Sequence, residues 1–342
     1  MRIGRALGAG AAIVALALGS GCTANNSSTN NTGNNTSTPE KITFVTGLST
    51  LGREGYIYDA IDKGYFRDAG FDVTVQAGFG TEPNLTILQS GKAQFVTTDI
   101  TAGIVDYATG KFKDFTIVAS LQQRMLSATF VLANSGITTP QQLAGKKIAY
   151  IQGGTNKTLF DAYAGLAHLD AKGITWVPTS VQAMPAALAT KKVDAISAFV
   201  WDEPGFGQQI KPGNQGGVFT VFPYSDFLSD LYGNGIAVTK EYAAQKPDRV
   251  RAFNKAILKG LQDALTNPQQ VAQAYANHVK VEPEIAALAE LGVEKGYAQI
   301  GSAPLGSLDQ TRIAHSIALL QSTGMIPSAI SPSDVCTFNL YQ

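Results

Sequence analysis

Short runs of β-branched and aromatic residues alternate along this chain with longer stretches in which apolar residues recur every three or four positions. Runs of the first kind predict strands, and stretches of the second kind predict amphipathic helices. The predicted strands are Ile42–Thr46, Asp72–Gln76, Phe95–Thr98, Phe115–Leu121, Ala128–Leu132, Lys147–Tyr150, Ile174–Pro178, Ala195–Phe199 and Gly235–Thr239. The predicted helices are Tyr56–Ala69, Glu82–Ser90, Ile100–Ala108, Thr155–Ala164 and Met184–Ala189, followed by a nearly all-helical region, Lys240–Thr323. This alternation is typical of an α/β fold.

Residues 1–22 have the layout of an export signal. Two arginines precede an apolar stretch, Ala6–Leu18, which is shorter than the roughly 18–20 residues that a membrane-spanning helix needs. Small residues then lead directly to Cys22, an arrangement that resembles the lipobox of bacterial lipoproteins, except that Gly19 stands where an aliphatic residue is usual. The resemblance implies that Cys22 is lipidated and becomes the first mature residue. The alternative is simple signal cleavage nearby.

Residues 23–40 contain almost no apolar side chain. Such a segment cannot bury enough surface to offset the entropy that it would lose on ordering. We therefore expect a disordered tether between a lipid anchor and a folded body.

Composition places the rest of the chain among globular proteins. The 342 residues are 44% apolar and 15% charged, and they exceed what one ordinary core spans, so we expect two structural units. The 26 basic and 26 acidic side chains balance, which removes the main electrostatic argument for a nucleic-acid partner. Three histidines and two cysteines leave little material for a metal centre and exclude a disulfide framework.

An ordered series of short motifs carries a family resemblance. The motifs are Lys63–Phe66, Gly70–Val73, Leu88–Phe95, Gly136–Ile148 and Leu188–Ala195. Together they resemble the substrate-binding proteins of ABC importers for nitrate, sulfonates, taurine and thiamine-pyrimidine precursors. The resemblance covers approximately residues 41–263. No single motif is decisive, and the argument depends on their order behind a lipoprotein-like signal.

The resemblance implies an α/β, two-lobed type II periplasmic-binding-protein fold with a ligand cleft between the lobes. Lobe 1 is predicted at residues 41–132 and 236–342, and lobe 2 at residues 133–235. The crossovers between them are predicted near Ala133–Gly136 and Gly233–Ile236, where small residues can absorb a hinge rotation. In open α/β sheets, ligands bind beyond the carboxyl ends of the strands, so the loops at these ends should line the cleft.

Five segments at predicted strand ends supply the candidate ligand-binding residues. These are Arg53, Tyr56, Tyr58, Thr98, Asp99, Gly153, Gly154, Thr155, Asn156, Trp201, Glu203 and Asn234. Several of them also have a purely structural explanation. The tyrosines and Trp201 can be packing residues, Asp99 can be the N-cap of the next helix, and Glu203 can lie on a solvated helix start.

Two ligand classes remain open. An oxyanion such as nitrate or a sulfonate needs hydrogen-bond donors and a fixed cation, which the Gln152–Thr155 loop and Arg53 can supply. Carboxylates near the same cleft favour a flat nitrogen heterocycle, because rings stack on aromatic side chains and carboxylates accept from amino groups. The stretch Val193–Phe199 with Glu203 after it resembles the thiamine-precursor branch, in which an equivalent acid faces the pyrimidine. The heterocycle is the favoured ligand.

Enzymatic alternatives lack their residues. A thiamine-pyrimidine synthase of the same fold family uses pyridoxal phosphate and iron with a cysteine-rich motif, whereas this chain has only Cys22 and Cys336. The segment Gly47–Glu54 has the glycine spacing of a P-loop, but Arg53 and Glu54 replace its lysine and its serine or threonine. We therefore predict no catalytic residue, no cofactor and no bound metal. A purely structural lipoprotein remains as a third alternative.

These observations predict a monomeric, exported protein, anchored by lipid on the outer face of the cytoplasmic membrane. Ligand that contacts both lobes would shift the population from open to closed forms. The closed form would then dock on a membrane ABC permease.

Overall fold

A computed structural model describes residues 38–152, 155–211 and 218–342. Of these, Thr38–Gln342 form one compact unit with the described gaps. The predicted signal peptide, Cys22 and nearly all of the predicted tether lie outside the described residues. The end of the tether was predicted wrongly: Glu40 already belongs to the first strand, and its carboxylate accepts hydrogen bonds from Lys246 and Arg249.

The described residues form strands and helices in alternation. The strands are β1 (Glu40–Val45), β2 (Leu48–Ser49), β3 (Phe71–Gln76), β4 (Gly78–Phe79), β5 (Phe95–Asp99), β6 (Thr116–Ser120), β7 (Ser127–Leu132), β8 (Lys147–Tyr150), β9 (Thr175–Pro178), β10 (Ala195–Phe199), β11 (Phe219–Pro223) and β12 (Asn234–Val238). The helices are α1 (Gly55–Asp62), α2 (Tyr65–Asp68), α3 (Thr81–Gln89), α4 (Ile100–Ala108), α5 (Thr155–Leu166), α6 (Met184–Ala189), α7 (Asp202–Ile210), α8 (Lys240–Gln245), α9 (Pro247–Thr266), α10 (Pro268–His278), α11 (Glu284–Glu294), α12 (Gln310–Ser322) and α13 (Pro332–Val335). Short 3-10 turns lie at Gly52–Glu54, Pro140–Leu143, Val181–Ala183 and Tyr224–Asp226.

Two five-stranded sheets with the same plan define the two lobes. The first sheet, in lobe 1, has the order β3-β1-β5-β12-β6, and the second, in lobe 2, has the order β11-β7-β10-β8-β9. In lobe 1, β1 pairs in parallel with β3 and β5, whereas β12 runs antiparallel to both of its neighbours. In lobe 2, β8 pairs in parallel with β9 and β10, whereas β7 runs antiparallel to both of its neighbours. Each antiparallel strand is the one that arrives from the other lobe.

This exchange of strands corrects the predicted lobe boundary. Residues 127–132 were assigned to lobe 1, but they form β7 and pair with β10 and β11 in lobe 2. The first crossover therefore joins β6 to β7 at residues 121–126, before the predicted Ala133–Gly136, and the second joins β11 to β12 at residues 224–233. The prediction failed because a strand's run of apolar residues does not show which sheet it pairs with.

The two crossovers lie against each other. Gly233 N donates to Gln122 O over 3.0 Å, and Leu121 N donates to Asn234 O over 2.8 Å. A Cβ at Gly233 would lie only 2.8 Å from the carbonyl oxygen of Arg124, so this approach requires glycine. The hinge is thus a pair of hydrogen-bonded segments.

Helices from the C-terminal third cover one face of the first sheet. Phe253 of α9 stacks on Phe95 of β5 with ring centroids 3.8 Å apart and also contacts Phe44 of β1. The chain then continues through α10 to α11, which packs against the turn Gly52–Glu54 of lobe 1 and against α7 of lobe 2. None of the described helices is long and apolar enough to cross a bilayer.

Candidate functional site

The loops at the carboxyl ends of β1 and β10 bring Arg53 and Trp201 together between the lobes. Arg53 lies in the 3-10 turn that follows the β1 loop, and Trp201 lies between β10 and α7. The guanidinium carbon of Arg53 is 4.8 Å from the centroid of the Trp201 ring, which is cation–π distance. Arg53 and Trp201 are both only 7% exposed. Two residues predicted from separate segments therefore meet in one site.

The guanidinium of Arg53 is already paired with two carboxyl groups and a backbone carbonyl oxygen of its own lobe. Its Nε lies 3.6 Å from Glu54 Oε1, and its Nη1 lies 3.5 Å from Glu290 Oε1. Its Nη2 donates to the carbonyl oxygen of Leu48 over 3.3 Å. The cation that an oxyanion would need is therefore engaged by carboxylates in this structure.

Helix α11 supplies two buried carboxyl groups that the sequence analysis did not select. Glu290 Oε2 accepts from the backbone N–H of Arg53 over 3.0 Å. Glu294 Oε1 accepts from Gln122 Nε2 over 2.6 Å, and Glu294 Oε2 accepts from Trp201 Nε1 over 3.0 Å. Glu294 has no exposed surface and connects the first crossover, α11 and lobe 2.

The sequence does contain a signal for Glu290 and Glu294, because both lie on the buried face of α11. Ala287, Leu291 and Glu294 recur at intervals of four and three residues, and Glu290 lies three residues after Ala287. On a helix this spacing places the two acids on the same face as the apolar residues, which is the buried face. An acid in an apolar stripe is the unusual observation that a helical projection would have revealed.

We call Glu54, Glu290 and Glu294 the carboxyl cluster. Burial raises the pKa of Glu54 to about 7, that of Glu290 to about 8 and that of Glu294 to about 7, although Arg53 opposes each shift. Burial also raises the pKa of Asp202. A hydrogen bond from the backbone N–H of Phe199 and the positive charge of Arg53 oppose this shift. The site therefore has more acidic groups than basic ones, and near neutral pH its carboxyls can both donate and accept hydrogen bonds. The described residues contain no cluster arranged to hold a metal ion.

The two predicted tyrosines lie on α1. Tyr56 is 3% exposed and packs in the core of lobe 1, where burial and the negative charges of Glu54 and Glu294 raise the pKa of its hydroxyl. Tyr58 is half-buried and stacks on His278 at 5.1 Å, with an edge contact to Tyr275. Tyr56 therefore borders the carboxyl cluster, whereas the ring contacts of Tyr58 are to α10.

Thr98 and Asp99 end β5. Asp99 accepts from Ala102 N over 2.7 Å, so it is the N-cap of α4, and burial raises its pKa to about 6 against this hydrogen bond. Thr98 is buried and donates to the carbonyl oxygen of Asp99 over 3.3 Å. In the structure Asp99 therefore caps α4, which was the structural explanation considered for it in the sequence analysis.

The predicted residues of lobe 2 have mixed positions. Gly153 and Gly154 lie outside the described residues, and Thr155 begins α5. Asn156 is buried and joins two strands, because its Oδ1 accepts from Ser127 and its Nδ2 donates to Ala198 O, each over 2.7 Å. Asn156 therefore has a structural role in holding β7 beside β10.

Glu203 and Asn234 complete the predicted set. Glu203 is half-buried near the start of α7, burial raises the pKa of its carboxyl, and no described residue bonds to its side chain. Asn234 begins β12 and is held through its backbone N–H, which donates to Gln122 Oε1 over 3.2 Å. Its side-chain amide nitrogen and Glu54 Oε1 lie 3.5 Å and 3.9 Å from the place that a Cβ would take at Gly47. Asn234 thus borders the same site as Arg53.

A family model described as NMT1/THI5 like matches residues 55–271, which is more than half of the chain. The chain belongs to the NMT1/THI5-like family. Riboflavin-binding protein RibY of Chloroflexus aurantiacus is 31% identical over 224 residues, which cover 62% of this chain and 59% of that protein. The match thus spans less than two thirds of that relative. A 4-amino-5-hydroxymethyl-2-methylpyrimidine phosphate synthase of Saccharomyces cerevisiae is 26% identical over 259 residues, with 72% of each chain covered.

Solved structures bear out the predicted fold. The periplasmic aliphatic sulphonate binding protein SsuA from Escherichia coli superposes with a TM-score of 0.69 at 15% identity, over 86% of this chain and 91% of that one. At this identity the likeness concerns the fold alone. Together with the two sheets and their exchanged strands, it confirms the α/β, two-lobed type II periplasmic-binding-protein fold.

Proposed function

We propose that this protein is the extracytoplasmic substrate-binding protein of an ABC importer and captures a small nitrogen heterocycle, such as a thiamine pyrimidine precursor, by lobe closure. The ligand enters between the lobes, contacts both, and shifts the population toward the closed form. The closed form then delivers it to the permease in the membrane. No bond of the ligand is broken, and no cofactor takes part.

The observation that carries the ligand class is the carboxyl cluster beside Trp201. The guanidinium of Arg53 faces Glu54 and Glu290. The carboxyl group of Glu294 accepts a hydrogen bond from the indole N–H of Trp201. Amino and ring N–H groups of a heterocycle match such acceptors, and an aromatic ring suits a flat ligand. The names of the two relatives also concern nitrogen heterocycles, a flavin in one and an aminopyrimidine in the other.

An oxyanion such as a sulfonate, taurine or nitrate is the second candidate. The fold of a sulphonate-binding protein favours it, as does the presence of Arg53 between the lobes. Against it, an anion would have to displace Glu54 and Glu290 from Arg53 and enter beside buried acids. Burying like charges together is unfavourable, so the heterocycle ranks first.

A synthase activity like that of the yeast relative ranks lower. Among the described residues, His278 pairs with Asp62 on the helices of lobe 1, and His315 pairs with Asp230. Cys336 is buried, and burial raises the pKa of its thiol to about 12, which disfavours the reactive thiolate. These residues do not border the Arg53–Trp201 site, so we propose binding without catalysis.

The proposal includes a lipid anchor at Cys22, placement on the outer membrane face and action as a monomer. Mass spectrometry of the mature chain tests the anchor. A diacylglyceryl mass on residue 22 that is lost in Cys22→Ala supports it, and an unmodified N-terminus contradicts it.

Thermal shift and calorimetry on the mature chain test the ligand. Aminopyrimidines, thiamine and riboflavin would be compared with nitrate, taurine and alkanesulfonates. A ligand at a hundredfold its dissociation constant stabilises by about 2.7 kcal/mol. Stabilisation by heterocycles that is lost in Trp201→Ala supports the proposal. Stabilisation by an oxyanion alone contradicts the ligand class and assigns Arg53 to the anion.

A further inference from the structure

Two apolar side chains are exposed side by side on the small ribbon formed by β2 and β4. Leu48 is 53% exposed and Phe79 is 66% exposed, and the two residues are direct partners across the ribbon. Direct partners on antiparallel strands project to the same face, so the two side chains form one apolar surface. We call Leu48 and Phe79 the apolar pair.

The ribbon extends the first sheet at the edge where ligands bind. β2 closely follows β1 and β4 closely follows β3, and β1 and β3 are parallel neighbours. Both halves of the ribbon therefore lie beyond carboxyl ends of strands, which is the ligand-binding edge of an α/β sheet. The carbonyl oxygen of Leu48 accepts from Arg53 Nη2 over 3.3 Å, and the same guanidinium lies on the ring of Trp201. The ribbon is thus continuous with the Arg53–Trp201 site.

The other face of the ribbon points into lobe 1. A Cβ at Gly78 would lie 1.9 Å from the carbonyl oxygen of Thr46 and 2.8 Å from Asn84 Nδ2, and Thr46 and Asn84 are both fully buried. Successive residues of a strand face opposite sides, so Phe79 points away from this interior, as does its partner Leu48. The apolar pair therefore lies on the outer face of the ribbon, beyond the end of the sheet.

Buried hydrogen bonds hold the ribbon in place. Asn84 Nδ2 donates to the carbonyl oxygen of Thr46 over 2.8 Å, and Asn84 Oδ1 accepts from the backbone N–H of Phe79 over 3.1 Å. Ser49, which follows Leu48, has a φ of +62°, in the left-handed region that residues other than glycine rarely adopt. Such conformations persist only where the surrounding structure imposes them, and they cluster at sites that contact ligands. The apolar pair is thus fixed in position without being covered by its own lobe.

We propose that the apolar pair covers the hydrocarbon edge of a fused-ring nitrogen heterocycle, so that the site selects such a ligand over a single-ring pyrimidine. The polar edge of the ligand, with its N–H groups, meets the carboxyl cluster, and the hydrocarbon edge lies against Leu48 and Phe79. An alloxazine ring system has this character, because its pyrimidine ring and its benzene ring stand at opposite ends. A single pyrimidine ring has no hydrocarbon ring to cover. The inference rests on the proposed function, because it specifies the size and polarity of the ligand of the same site.

Matched ligands and matched variants test the contact. Fluorescence titration measures lumichrome, which is 7,8-dimethylalloxazine, and alloxazine, which lacks only the two methyl groups. Calorimetry measures the single-ring 4-amino-5-hydroxymethyl-2-methylpyrimidine. Phe79→Ser and Leu48→Ser remove exposed side chains, so the midpoint of thermal unfolding of the ligand-free protein should stay unchanged in both. Leu166→Ser is the control: Leu166 is also exposed, but it is the last residue of α5, and only the first turn of that helix follows a strand end.

We expect the wild type to bind lumichrome roughly tenfold more tightly than alloxazine, since each buried methyl group contributes about fourfold. It should bind lumichrome more tightly than the single-ring pyrimidine by at least as much. Phe79→Ser and Leu48→Ser should each weaken lumichrome roughly tenfold, because burial of a large apolar side chain is lost, and should leave the affinity for the pyrimidine unchanged. Leu166→Ser should bind all three probes as the wild type does.

Three results would overturn the inference and leave the proposed function standing, provided that binding is lost in Trp201→Ala. These are an unchanged affinity for lumichrome in both ribbon variants, an equal loss for lumichrome and the pyrimidine, and binding of the pyrimidine alone by the wild type. Binding of nitrate or taurine with no heterocycle bound would overturn both the inference and the proposed function.

Discussion

The indole N–H of Trp201 donates to Glu294 Oε2 over 3.0 Å, and this bond joins lobe 2 to the C-terminal helix α11 of lobe 1. The other oxygen of Glu294 accepts from Gln122 in the first crossover. One carboxyl group therefore holds three parts of the molecule: the hinge, the C-terminal helix and the opposite lobe. Because Arg53 covers the same indole ring, the contact between the lobes is assembled around Trp201.

Trp201→Phe should destabilise the protein by about 1–3 kcal/mol, because it leaves a buried oxygen of Glu294 without its donor. Urea unfolding followed by circular dichroism measures the change. Trp176→Phe is the matched control: Trp176 is only partly buried and makes edge contacts with Phe160 and Tyr150. Equal losses in the two variants would show that the bond to Glu294 contributes nothing.

Ligand binding should change the fluorescence of Trp201. The chain has two tryptophans, so Trp176→Phe leaves Trp201 as the reporter. Its ring lies against Arg53 and its N–H against Glu294, and a heterocycle entering there must alter both contacts. We expect a saturable change in emission in Trp176→Phe and none in Trp201→Phe. A signal that survives only in Trp201→Phe would place the ligand elsewhere.

The free energy of unfolding should fall as pH rises from about 4.5 to about 8. The carboxyl cluster has pKa values of about 7 to 8 in the folded protein against 4.5 ordinarily, so the folded state binds more protons in this window. Each extra proton lowers the stability by about 1.4 kcal/mol per pH unit. Urea unfolding at pH 5, 6, 7 and 8 measures the slope. Glu290→Gln should flatten it, and the surface variant Glu241→Gln should not; a slope of opposite sign would contradict the burial of these groups in uncharged form.

Replacement by alanine should have opposite effects on stability at Gly52, which packs against α11, and at Gly292, which lies within α11. A Cβ at Gly52 would lie 2.1 Å from Ala287 Cα, which is backbone and cannot yield, so Gly52→Ala should separate the turn Gly52–Glu54 from α11. Gly292 lies in α11 with open space around it, and Gly292→Ala should stabilise by about 0.5–1 kcal/mol through helix propensity. The midpoints of thermal unfolding of both variants test this prediction. An unchanged midpoint in Gly52→Ala would contradict the close packing of Gly52 against α11.

Local patterns in the sequence predicted where the strands and helices lie. Pairing between residues far apart in the chain decides which sheet, and therefore which lobe, each strand joins. The predicted strand Lys147–Tyr150 and helices Ile100–Ala108 and Met184–Ala189 have the same bounds in the structure. The run Ala128–Leu132 was also predicted as a strand, which the structure shows as β7 (Ser127–Leu132), but its assignment to lobe 1 was wrong. Its partners β10 and β11 follow more than sixty residues later, and apolar periodicity carries no information about them.

The candidate site could be predicted only in part for a similar reason. Arg53 and Trp201 follow strands, so the rule for strand ends in α/β sheets found them. Glu290 and Glu294 lie on a helix far along the chain, and only the packing of α11 against the turn Gly52–Glu54 brings them to Arg53. Asn156 was selected by the strand-end rule but is used to join β7 to β10.

Arg53→Met should be more destabilising at pH 8 than at pH 5. The variant removes the cation that opposes the raised pKa values of Glu54 and Glu290, so their pKa values should rise further. At pH 5 both carboxyls are protonated with or without Arg53, so little is lost. At pH 8 the folded variant must hold protons that the wild type has partly released, which costs about 1–2 kcal/mol. Urea unfolding at the two pH values measures the difference.

Two further variants control for this prediction. Adding Glu290→Gln to Arg53→Met should recover part of the loss at pH 8. Arg251→Met, which removes an exposed partner of Asp248, should change the free energy of unfolding by less than about 0.5 kcal/mol at either pH. An equal loss at both pH values would mean that Arg53 stabilises the fold by packing on Trp201 rather than by compensating the carboxyl cluster.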